Sequence, residues 1–114
     1  MLTVEALREY GANVDEGLGR CMGNKEFYLR LVGKCLEDGN YAKLQDSLAA
    51  GDWDQAFEAA HALKGVLGNL SITPMYTAIQ DLTELLRPKQ PCDYQELLAG
   101  FLNAKERLEA LIGA

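Results

Sequence analysis

The chain has 114 residues, 48% hydrophobic and 25% charged, enough to bury a core as one domain without disulfide or metal support. Its 17 acidic residues against 11 basic ones give a formal net charge of -6, which argues against a nucleic-acid-binding face. No apolar run approaches the ~20 residues needed to cross a bilayer, and Glu5, Arg8 and Glu9 stand where a signal peptide would be apolar; the expectation is a cytoplasmic protein with no membrane partner.

Residues 1–114 read as a single domain, helical almost throughout and free of repeats or long linkers. Thr3 can cap a short helix to about Tyr10, and Asn13 with Glu16 three residues on offers a capping-box-like start for a second. Asn24 can cap a longer helix from Lys25, with Leu29, Val32 and Leu36 at helical spacing, and Tyr41, Leu44 and Leu48 extend a similar pattern to Ala50. Between the two sets lies Asp38-Gly39-Asn40, which either breaks the helix or is carried through it at some cost in stability.

Gly51-Asp52 then closes one helix and caps the next. Trp53, Ala56, Ala60, Leu63, Leu67 and Leu70 step by 3, 4, 3, 4, 3, the pattern of one buried seam. Thr73-Pro74 reads as a cap followed by proline at the first helical position, and Met75, Ile79, Leu82 and Leu86 form the next seam before Arg87-Pro88 stops it. Asp93 with Glu96 starts the last helix, whose seam is Tyr94, Leu97, Phe101, Ala104, Leu108 and Leu111. Four main helices with short connections and one apolar seam each predict an all-α, up-down four-helix bundle, with one or two short N-terminal helices packed on one end.

The cysteines Cys21, Cys35 and Cys92 are odd in number and have no CxxC spacing, so buried, reduced thiols are expected. A zinc site built from them and His61, the single histidine, has no support from ligand spacing.

The chemistry concentrates in Phe57 to Leu70, FEAAHALKGVLGNL. Taking His61 as zero and advancing about 100° per residue, the seam centres roughly 130° away, so the imidazole is expected outside the core. By the same count Phe57, Lys64, Gly65 and Gly68 fall within roughly 60° of it. Each helical glycine costs about 1 kcal/mol relative to alanine. Two on the histidine's own face mean either that a neighbouring helix packs there or that something must approach the backbone closely. No P-loop or glycine-rich nucleotide box is present, so phosphorylation from ATP by this chain alone is not expected.

The run His61-Ala62-Leu63-Lys64-Gly65, followed by Gly68 and Leu70, resembles the signature of the histidine phosphotransfer (HPt) family. The order and spacing of Gly51-Asp52-Trp53, of the helix from Lys25 to Ala50 and of the Leu82 to Arg87 helix end extend the resemblance over nearly the whole chain. Val66 and Leu67 stand where the family usually has small polar residues, and Ser71 where a glycine commonly follows the leucine; the proline often found near Gly39 or Asn40 is missing.

The resemblance implies a monomeric phosphocarrier in a two-component phosphorelay, without its own kinase activity. His61 would accept a phosphoryl group from a phospho-aspartate receiver domain and pass it to another. Its partners would be response-regulator receivers and a hybrid sensor histidine kinase. Lys64, Gly65 and Gly68 would stabilise the phosphoryl group or give access to it, and Phe57 and Ala62 would offer docking area. No cofactor or metal would be bound by this chain; Mg²⁺ would come from the receiver. The alternative is a helical adaptor for receivers or kinases with the same surface and an unused histidine.

Overall fold

In the computed structural model, which describes residues 1–113, the chain forms seven helices and, among the described residues, no strand. They are α1 (Val4–Tyr10), α2 (Val14–Arg20), α3 (Lys25–Cys35), α4 (Asn40–Ala50), α5 (Trp53–Asn69), α6 (Thr73–Leu86) and α7 (Gln95–Gly113). The last four make the up-down bundle: α5 packs between α4 and α6, and α6 packs on α7. Tyr41 of α4 stacks on Phe101 of α7 with ring centroids 5.9 Å apart, which joins the first and last helices of the bundle.

The seams drive this packing. Ala56, Ala60, Leu63 and Leu67 of α5 are buried without residual exposure, as are Met75, Ile79, Leu82 and Leu86 of α6. Ala59 joins them, and its small side chain, with Ala56 and Ala60, lets neighbouring helices come close to the first half of α5. Each fully buried Leu or Ile contributes about 1.5–3 kcal/mol relative to exposure. α5 is also fixed at its start. Gly51, at φ 72°, ends α4 in the left-handed conformation that glycine adopts freely, and the Asp52 carboxylate accepts from the Gln55 N–H at 3.2 Å.

The segment from Lys25 to Ala50 breaks at Leu36–Gly39. The Asp38 carboxylate accepts from the Asn40 backbone N–H at 2.8 Å and from its side-chain amide at 2.9 Å, a local bond that competes with helix continuation and restarts the chain as α4. The buried seam of α3 is Tyr28, Val32 and Cys35, with Leu29 and Leu36 only partly covered. Tyr28 is pulled inward because its hydroxyl donates to the Leu70 carbonyl at 2.8 Å and its ring fills the space left by Gly17.

Two further expectations need correction. Thr73 does not cap α6: Ile72 holds that place, Thr73 is the first helical residue, and Pro74 follows inside the first turn. Cys92 is exposed, in the connection between α6 and α7 where no helix packs over it; Cys21 and Cys35 are buried and free. Burial pushes the Cys35 thiol up to about 12.

The short helices close one end. The Tyr10 hydroxyl donates to the Ala104 carbonyl at 2.7 Å, holding α1 on α7. α2 is tied to the C-terminus of α5 by Arg20, which donates to the carbonyls of Gly68 (3.1 Å) and Asn69 (3.2 Å) and to the Ser71 hydroxyl (2.7 Å). That hydroxyl donates to Glu16 at 2.8 Å, and Glu16 pairs with Arg20 at 3.0 Å. Ser71 sits at φ 56°, so the position where a glycine commonly stands in the HPt pattern is left-handed in this chain. Serine takes it with its side chain engaged on both sides.

The Ser71 hydroxyl, and after it Arg20, hold the Glu16 carboxyl below its ordinary value of 4.5. Because the folded value is depressed, this contribution is present above the unfolded value and is lost as pH falls through the folded one. Ser71→Ala is expected to lower Tm by a few degrees near neutral pH. That difference should narrow once the pH falls below about 4.5, the ordinary value. Thermal unfolding of both proteins across pH checks this, and equal Tm values at neutral pH would contradict it.

Candidate functional site

α5 turns His61 to solvent, on the side of the helix away from Leu63 and Leu67. The imidazole does not stand alone. It stacks on Phe57, one turn earlier, with centroids 5.9 Å apart and planes 15° from parallel. The same Phe57 ring carries the Arg87 guanidinium carbon and the Lys89 ammonium nitrogen, each 5.4 Å from its centroid. Phe57 is half-buried, its ring engaged by these contacts within the protein. Ala62 is exposed beside the histidine.

A cleft of about 510 Å³ opens along α5 next to His61. It is lined by Lys64, Gly65 and Gly68 of α5, by Asn13, Glu16 and Arg20 in and before α2, and by Thr73 and Tyr76 of α6. Lys64, half-buried, sees an opposite charge in Glu84 of α6. The Glu84 carboxyl is held below its ordinary value first by its hydrogen bond from Arg87, with smaller help from the charges of Arg87 and Lys64. The Arg87 fork contacts Glu84 at 2.9 and 3.1 Å.

The two glycines differ. A Cβ built on Gly65 meets nothing within 4 Å, whereas one on Gly68 would lie 2.9 Å from Cε1 and 3.3 Å from Cδ1 of Tyr76. Gly68 thus makes room for a ring of α6, as in the neighbouring-helix alternative, while it also lines the cleft beside His61. Gly65 alone leaves the backbone beside His61 bare.

Arg20, Glu84, Arg87 and Lys89 carry no local signal in the sequence; they reach the site from other helices and connections. The residues His61, Lys64 and Gly65 do come together as expected. Cys21, Cys35 and Cys92 do not join His61, and among the described residues no group of three or more His, Cys, Asp or Glu side chains is placed to hold a metal ion. Among the described residues no helix is long and apolar enough to cross a membrane.

Comparison with protein families matches the Hpt domain over residues 38–114, which takes in the whole of α4 to α6 and the described length of α7. The chain belongs to that family, whose members are phosphotransfer modules of two-component phosphorelays, acting as phosphocarriers and engaging receiver domains and histidine kinases. No curated protein and no solved structure gave a significant match.

Alanine at the two glycines separates their roles. Gly65→Ala is expected to stabilise the protein by about 1 kcal/mol through helix propensity. In Gly68→Ala the shift forced on Tyr76 should cancel or exceed that gain. Chemical denaturation of the two variants checks this; equal stabilisation would contradict the packing account of Gly68.

Proposed function

We propose that this protein is a phosphorelay intermediate in which His61 takes a phosphoryl group from the aspartyl phosphate of one receiver domain and yields it to the aspartate of another. The observation that carries this reading is the position of the single histidine. It is exposed on the outward face of α5 within the family match, beside bare backbone at Gly65 and a cation at Lys64.

The chemistry follows from an imidazole in that place. One neutral ring nitrogen attacks phosphorus in line; the N–P bond forms as the bond from phosphorus to the aspartyl oxygen breaks, and its electron pair returns to the carboxylate. The other ring nitrogen keeps its proton. The reverse attack by a second receiver's aspartate completes the relay. Lys64, one helical turn from His61, offsets the charge that arrives. Gly65 leaves room for the rim of the receiver site, and Ala62 adds small apolar contact. Mg²⁺ held by the receiver would neutralise charge on the transferring group, while this chain positions His61 and sets Lys64 beside it.

The donor in this reading is the receiver of a hybrid sensor histidine kinase and the acceptor a response regulator, in the cytoplasm. The chain itself draws no phosphoryl group from ATP.

Incubation with a labelled phospho-receiver and Mg²⁺ is expected to label the wild type and leave His61→Gln unlabelled, with a bond that is acid-labile and alkali-stable. Equal labelling of the variant would overturn the assignment. ATP alone should give no label in either protein.

A further inference from the structure

We infer that Arg87 and Lys89 are phosphoryl-binding residues, held on the Phe57 ring until His61 is phosphorylated and then drawn onto the phosphoryl group. This rests on the reading of His61 as phosphoacceptor and goes beyond it, since it gives a stabilising role to two cations from outside the signature helix.

The geometry begins with a shared ring. Phe57 stacks on the imidazole at 5.9 Å, and both cations lie 5.4 Å from the same ring. Neither is farther from the imidazole than those two distances laid end to end, a span that long, flexible side chains cover. Both cations are also loosely held. Arg87 pairs with Glu84 at 2.9 Å and Lys89 with Asp54 at 3.2 Å, and all four side chains are about half exposed or more. Exposed ion pairs and exposed cation–π contacts are weak. A phosphoryl group brings nearly two negative charges and three strong acceptor oxygens to the same spot, and it accepts from a guanidinium in the favoured forked arrangement.

The backbone supports the placement. Lys89 is at φ 55°, a left-handed conformation that L side chains rarely adopt, and its N–H donates to the Leu86 carbonyl at 2.8 Å. That turn, just past the end of α6, brings the Lys89 side chain back over α5. The result is a histidine with Lys64 on the side toward the α5 C-terminus and Arg87 with Lys89 on the side toward its N-terminus, in a protein whose net charge is -6.

The test is made on phosphorylated full-length protein without any receiver present. The wild type is labelled with phosphoramidate, from which the imidazole takes the phosphoryl group as ammonia leaves, or with a phospho-receiver that is then removed. The hydrolysis half-life of the phosphohistidine and the pH titration of its ³¹P resonance are measured for wild type, Arg87→Gln, Lys89→Gln, Lys89→Arg and Lys25→Gln, with folding followed by circular dichroism. Loss of either cation is expected to shorten the half-life about threefold or more and to move the ³¹P titration to higher pH. Lys89→Arg should restore both, and Lys25→Gln, at the start of α3, should match the wild type.

Unchanged lifetime and titration in folded Arg87→Gln and Lys89→Gln would overturn the inference while leaving His61 as phosphoacceptor. An equal change in Lys25→Gln would also overturn it, by reducing the effect to net charge. A wild type that takes no phosphoryl group from either donor would remove both readings.

Discussion

α5 has to be buried along one side and open along the other, and the rest of the structure serves that constraint. Its inner side packs Ala56, Ala59, Ala60, Leu63 and Leu67 against α4 and α6. At 17 residues the helix spans about 25 Å, so a small rotation or slide would carry His61 into the core or away from the cleft. Both ends are pinned against such movement. Asp52 caps the start, while Arg20 and the Ser71 network hold the last carbonyls. The N-terminal helices, which lie outside the family match, thereby act on the site through the position of α5.

Charge is arranged around the same helix. In a protein with six more acids than bases, cations are brought to the histidine's face from three places: Lys64 on α5, Arg87 at the end of α6 and Lys89 just beyond it. Each has a weak carboxylate neighbour, Glu84 for the first two and Asp54 for the third. Exposed pairs of this kind contribute little to folding. They do keep the cations beside His61 while leaving them available to a stronger anion. Rigid packing beneath and loosely held charge above suit the proposed role, in which His61 meets more than one receiver.

The bundle was legible in the sequence because α5 and α6 have a single apolar stripe each, and the off-stripe position of His61 followed from the same periodicity. In α3 the spacing pointed to Leu29, Val32 and Leu36, whereas the buried residues are Tyr28, Val32 and Cys35. Periodicity carries no information on the contact with Gly17 and the Leu70 carbonyl that draws Tyr28 inward in place of Leu29. The Asp38-Gly39-Asn40 triplet left two outcomes open until the Asp38 side chain was seen to bond Asn40. Gly68 shared a face with His61, yet Tyr76 on the next helix claims the space beside it. Arg87 read as part of a stop signal and Lys89 as loop. Their place over Phe57 depends on a turn between helices that one-dimensional spacing does not encode.

On the proposed reading the outward face of α5 is the working surface and the rest of the bundle its support. Backbone amide shifts of ¹⁵N-labelled protein, followed as a beryllium-fluoride-activated receiver domain is added, test this most directly. Perturbations are expected to centre on His61, Ala62, Lys64 and Gly65 and to reach Glu84 and Arg87, with α7 beyond Ala104 unchanged. Perturbations centred on α7 or α1, with His61 and its neighbours unmoved in a receiver-bound complex, would contradict it.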